Sequence, residues 1–178
     1  FRSGAVFARM KEGDMQRGWD LWLEDGRPAA HLINVWSDNA LKVSAKRKLT
    51  ANKWSHVCVT YDGSSKAEGL KIFVNGEEQP LNIDKNTLTK SILTDSAFTI
   101  GQRQGGGMLD QAGIQDLRVF QTNLTKLEVT GLAQVPRLKW LAQKSATDRT
   151  KDEGDELYAI WLVRIDAEYP RLVETKNK

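Results

Sequence analysis

A single cysteine, Cys58, stands in the 178 residues. No internal disulfide can therefore staple the chain, and cysteine usage does not reveal the redox compartment. Cys58 has neither a second cysteine at metal-ligand spacing nor a haem-attachment pattern around it. Its place in the middle of a strand pattern marks it as a buried, inert thiol. Long apolar runs are missing too. Nothing approaches the roughly 20 consecutive apolar residues needed to cross a bilayer, and no signal-peptide pattern opens the chain. The chain begins with Phe1 and enters a strand pattern almost at once. We therefore expect a segment of a longer parent whose targeting sequence lies elsewhere. Charge of one sign is also lacking: 26 basic and 23 acidic side chains give a net charge of +3. They are interspersed, which argues against nucleic acid or an anionic membrane as a partner. The cluster Lys46-Arg47-Lys48 reads as a solvated strand end.

Catalytic signatures are scarce. The two histidines, His31 and His56, lie on different strand candidates, there is no Gly-x-Ser-x-Gly elbow, and no His/Cys ligand spacing occurs. Gly105-Gly106-Gly107 lacks the Lys and Ser/Thr of a phosphate loop and leads into a strand pattern, so it reads as a turn.

What the chain does have is strand patterning. From Trp54, the residues Val57, Val59 and Tyr61 alternate with His56, Cys58 and Thr60. Leu70 to Val74 then runs into Asn75-Gly76, a dipeptide suited to a two-residue hairpin turn. Further strands are expected over Gly4 to Lys11, Gly18 to Leu23, Ala29 to Trp36, Ala40 to Ala45, Ala97 to Gly101 and Ala112 to Gln121. Asp25-Gly26 should join the second and third as a hairpin. Leu81 to Asp95 reads as a long surface loop with room for one short edge strand.

After Thr125 the pattern changes. Thr125 with Glu128 is a capping box that opens a short helix. Pro136 suits the first turn of a second helix, in which Leu138, Leu141 and Ala142 share a face. Thr150 with Glu153 caps a third, carrying Leu157, Ile160, Trp161 and Arg164 until Pro170 interrupts. The acidic run Asp152 to Glu156 reads as a solvated, dipole-compensating first turn. The expected organisation is an all-β sandwich over residues 1–135 and a helical extension over 136–178, the latter a linker to, or the start of, a neighbouring domain.

The Trp54 to Gly63 strand, "WSHVCVTYDG", followed by "IFVNGE", resembles the laminin-G-like, concanavalin A-like lectin and glucanase superfamily. Phe98 to Gln102 and Gly113 to Phe120, followed by Leu124 to Val129, resemble that family's closing strands and terminal short helix. Phe7 to Met10, Gly18 to Leu23 and Trp36 to Val43 are similar to a narrower group. These are domains embedded in large secreted planctomycete proteins that also carry a cytochrome c-like segment and domains of unknown function. The resemblance covers about residues 3–166. It implies a jelly roll of two antiparallel sheets, an extracellular, periplasmic or cell-envelope location, and a packing role in the core for Trp54.

Glycosidases also occur in this superfamily, and in its glucanases the carboxylates alternate on one strand. Here the pair on offer is Asp20 and Glu24. It is spaced roughly 13 Å apart at about 3.3 Å per residue, wider than glycoside hydrolysis uses. A non-enzymatic domain is expected, with a degenerate glycoside hydrolase as the weakest alternative. Glycans are held by aromatic faces with polar groups around them. Asp20, Trp22 and Glu24 point away from the apolar face formed by Trp19, Leu21 and Leu23. Trp22 is thus either a sugar platform or the filling of a groove under the helical tail or a crossing loop. Trp36 beside Asn34 is the second candidate, and Arg103 stands on a rim loop of the kind that binds ligands in the family. The expected ligand-binding residues are Trp22, Asp20, Glu24, Asn34, Trp36 and Arg103, the partner being a glycan or polysaccharide. The alternative is a structural or protein-interaction module whose partners are neighbouring domains of the same polypeptide. Calcium at a rim is implied by resemblance alone. Asp62 is as readily a turn-capping residue, and Asp116 beside Arg118 reads as a structural pair.

Overall fold

The computed structural model describes residues 3–164 together with Glu168 and Thr175. The strands are β1 (Gly4–Lys11), β2 (Arg17–Glu24), β3 (Arg27–Val35), β4 (Asn39–Ala45), β5 (Val57–Tyr61), β6 (Leu70–Val74), β7 (Glu77–Glu78), β8 (Leu81–Asn86) and β9 (Thr99–Ile100), followed by helices α1 (Lys126–Gln143) and α2 (Lys151–Arg164). Two antiparallel sheets result, one ordered β8-β4-β3-β2-β1-β9 and the other β5-β6-β7. The chain divides into two compact units, residues 1–130 and 131–178.

Hairpin chemistry fixes the registers. Asp25 and Gly26 both take positive φ, at 51° and 77°, as do Asn75 and Gly76, at 53° and 84°. These are the angles a two-residue hairpin turn requires. The first turn places Glu24 opposite Arg27 and hence Asp20 opposite His31. Strand alternation then sends Ala30, Leu32, Leu41 and Val43 of the large sheet against Leu70 and Ile72 of the small one. Full burial of an aliphatic side chain of this size stabilises by roughly 1.5–3 kcal/mol. Phe7, Trp19 and Phe98 close this core beside β1 and β2, with ring centroids 5.8 to 5.9 Å apart.

A second apolar cluster, Ala5, Ala8, Met10, Ile33 and Ala40, lies on the opposite face of the large sheet, with Trp22 and Trp36 packed against it. The register aligns Met10, Gly18, Ile33 and Ala40 in one row across β1 to β4.

Three expectations need correction. Ala112 to Gln121 is not a strand. Asp116 sits in the left-handed region at φ 54°, which breaks the pleat, and Arg118 Nε and Nη2 donate to its carboxylate at 2.8 and 2.9 Å. Trp54 is not in the core but 72% exposed. β5 starts only at Val57, so Trp54 falls before the ladder, with its ring against Gly113. Pro136 does not open a helix but lies inside α1. The helix runs through it and forgoes the one N–H that Pro lacks, so among the described residues two helices stand where three were expected. The edge strand for which Leu81 to Asp95 left room is β8, paired to β4. Pro170 lies outside the described residues.

Both capping boxes form. The Thr125 amide and hydroxyl donate to Glu128 Oε2 at 2.7 and 2.8 Å, and the Thr150 amide donates to Glu153 Oε2 at 3.0 Å. Arg149 donates to the carbonyls of Leu141, Ala142 and Lys144, satisfying the end of α1.

Candidate functional site

The outward face of the large sheet carries most of the candidate residues. On β2 the alternation is as expected: Leu21 and Leu23 are buried on the core side, and Asp20, Trp22 and Glu24 fall on the other. Asp20 is nevertheless fully buried. Its Oδ1 lies 2.6 Å from His31 Nδ1, while Arg103 donates to Oδ2 from Nε at 2.7 Å and from Nη2 at 2.6 Å. A carboxylate taken out of water is tolerated only with partners on both oxygens, and here both are used. The Arg103 guanidinium lies 4.3 Å from the centre of the Trp22 ring, a cation–π contact that also shields part of the ring. Gly107 approaches the same indole so closely that a Cβ there would come within 2.5 Å of Trp22 Cζ3. The crossing loop over residues 101–108 is thus what covers Trp22. It is tied down by the Gly105 amide donating to Glu12, and by the Ala5 amide donating to the Gly107 carbonyl at 2.8 Å.

His31 joins Trp36 to this group through an edge contact, with centroids 5.7 Å apart and planes at 75°. Four of the expected residues, Asp20, Trp22, Arg103 and Trp36, are therefore brought together. Glu24 lies further along β2 and pairs with Lys42 Nζ at 2.9 Å. Lys42 also lies 3.9 Å from Asp84, which accepts from Ser44 Oγ at 2.9 Å. Asn34 is buried apart from the others and donates to the Ser91 carbonyl at 2.6 Å. His31 and Lys42 were missed as members of this face. The signal for His31 was the Asp25-Gly26 turn, whose register sets it opposite Asp20.

Chemically, Asp20 is an anchor. Its oxygens are engaged by His31 and Arg103, so Asp20 is not poised for proton transfer to a glycosidic oxygen, while Glu24, about half exposed, pairs with Lys42. At the rim, Asp62 Oδ1 accepts from the Ser64 amide at 2.9 Å, and Ser64 holds the Asp62 carboxyl below the usual carboxylate range. Among the described residues no three His, Cys, Asp or Glu side chains gather where they could hold a metal ion. On the small sheet, Cys58 is half-buried, and desolvation raises its thiol pKa. Burial lowers the His56 pKa, an effect that Asp116 opposes. Among the described residues no helix is long and apolar enough to cross a membrane.

The crystal structure of an S-layer domain-containing protein (residues 221–444) from Clostridium thermocellum is similar at 21% identity with a TM-score of 0.33, over 74% of this chain and 63% of that one. This chain thus spans less than two thirds of that structure's length. No curated protein matches the sequence. A family model described as the concanavalin A-like lectin/glucanases superfamily matches residues 2–130. The two packed antiparallel sheets occupy the same span, and the chain belongs to the concanavalin A-like lectin/glucanases superfamily through a laminin-G-like domain.

Proposed function

We propose that the domain is a non-catalytic, glycan-binding module of a larger exported protein, of the kind its N-terminal wording resembles in the large secreted planctomycete proteins. Residues 1–135 serve as the sandwich and 136–178 as the connection to a neighbouring domain. The observation that carries the reading is the locked state of Asp20. The one strand with spaced carboxylates has its central acid committed to His31 and Arg103, which favours display over hydrolysis. The half-buried indoles of Trp22 and Trp36 flank that anchor. Together with the Arg103 roof they offer an amphipathic ledge on which a sugar ring can stack, with Glu24 further along the strand as an acceptor.

A second reading, a protein-interaction module, is favoured by one observation: Arg103 already occupies part of the Trp22 face. A glycan array separates the two. The lectin reading expects binding by the domain, weakened by Trp22→Ala, with no reducing ends released from any bound polysaccharide. A domain that ignores every glycan but captures neighbouring segments of its parent supports the interaction reading. Steady release of reducing ends refutes the non-catalytic assignment.

A further inference from the structure

The outer face of the small sheet carries a concavity of its own. In β6, Leu70 and Ile72 point into the core between the sheets, so Lys71 and Phe73 face the other way, and the register sets Thr60 beside Lys71. The segment just before α1 folds across this face. Together they enclose a cleft of about 220 Å³ whose lining includes Thr60, Glu68, Lys71, Phe73, Asn123 and Lys126. The far wall is rigid because the Thr125–Glu128 capping box fixes it.

The donors and acceptors in the cleft differ in availability. Glu68 receives Asn86 Nδ2 at 3.2 to 3.3 Å, and Asp62, also at the wall, is committed to the Ser64 amide. Lys71 has only an exposed pairing with Glu78 at 3.5 Å. Among the described residues, the side chains of Asn123 and Lys126 have no hydrogen-bond partner. The lining therefore holds two acidic and two basic side chains, the hydroxyls of Thr60 and Thr125, the free amide of Asn123 and the half-buried Leu124, over the fully buried ring of Phe73. Such a set imposes no net charge on a ligand, yet offers donors and acceptors beside the small apolar patch of Leu124, which suits the hydroxyls and C–H faces of a neutral sugar. The volume is below the roughly 300–1,000 Å³ of sites for drug-sized molecules. One ring of a longer chain fits that space.

We propose that this cleft is a second saccharide site, on the side of the sandwich opposite Trp22 and Trp36, which makes the domain bivalent for neutral polysaccharide. The ligand class rests on the glycan reading above; the location does not. Two sites on opposite outer faces cannot grip one short oligomer. They join separate strands of a polymer or one looped strand, so retention on a matrix exceeds what either site gives alone.

The test is a titration of the whole chain with linear neutral oligosaccharides of glucose, mannose, xylose and galactose, followed by amide chemical shifts. Two separate groups of saturating shifts are expected, one around Trp22 and Trp36 and one around Thr60, Lys71 and Asn123. Asn123→Ala and, independently, Lys71→Met should weaken the second response at least tenfold and leave the first unchanged. Shifts confined to the Trp22 face, or a second group indifferent to both substitutions, would overturn the second site while the glycan reading stands. No saturating shift with any of these probes defeats the glycan reading and the second site with it.

Discussion

Asp20 and Arg103 lie 83 residues apart in the chain, yet the guanidinium sits 2.6 Å from a carboxylate with no solvent-exposed surface. Through this contact the 101–108 loop is fastened to the middle of the large sheet, and Trp22 is clamped between loop and sheet.

Substituting Asp20 should therefore be among the most damaging single changes in the domain. Asp20→Ala strands Arg103 and His31 without their shared acceptor, and breaking a buried charge pair from one side costs about 3–5 kcal/mol. Chemical denaturation should show the midpoint falling accordingly. A loss below about 1 kcal/mol would mean that water or another group readily replaces the carboxylate.

Gly107 takes φ 61° and abuts the Trp22 indole. Gly107→Ala adds a methyl group that the ring cannot accept without moving, in a backbone region that disfavours side chains. Overpacking of this kind costs about 1–3 kcal/mol. A thermal melt should drop by at least roughly 2–4 °C for each kcal/mol lost, and an unchanged melting temperature would show that the loop is not seated on Trp22.

The two helix starts offer a cleaner test, because their caps are local. Thr125→Ala and Thr150→Ala each remove a reciprocal capping bond, with an expected cost of about 1 kcal/mol. Amide exchange should accelerate in the first turn of the affected helix and leave the other as it was. Acceleration in both helices, or in neither, would contradict the assignment.

Burial pulls the folded-state pKa of His56 below the usual imidazole value. Between that lowered value and about 6.5 the unfolded chain binds more protons than the folded one, so stability rises with pH across this window. The contribution is fully present above about pH 6.5 and is lost as the medium is acidified through the folded pKa. Urea midpoints at roughly pH 5 and pH 7.5 should differ in that sense, and His56→Gln should flatten the difference. A midpoint that moves the other way would indicate that Asp116, which opposes the burial effect, dominates.

Much of the fold was legible because it is governed by short-range chemistry. Asp25-Gly26 and Asn75-Gly76 announce their hairpins, the two Thr-x-x-Glu boxes announce both helices, and alternation in β2 separates Leu21 from Asp20. What could not be read depends on long-range contacts. Arg103 was visible as a rim residue, but its union with Asp20 requires the 101–108 loop to fold back over β2. The family resemblance implies a core position for Trp54, whereas the ladder begins three residues after it. The Gly113 to Phe120 stretch has good strand residues, yet the Asp116–Arg118 side-chain pair holds a conformation that no propensity anticipates. β3 gave a subtler difficulty. Its residues from Pro28 to Asn34 are buried without alternation, because the second apolar cluster and the Asp20 anchor cover the face that a two-layer sandwich leaves to water.

That double cover of β3 has a kinetic corollary. Backbone amides shielded on both sides, and hydrogen-bonded to β2 and β4, open to deuterium only when the whole unit unfolds. The stretch from Ala29 to Asn34 should thus be the slowest-exchanging part of the chain, an inert anvil against which the loops on either side can adjust without disturbing one another.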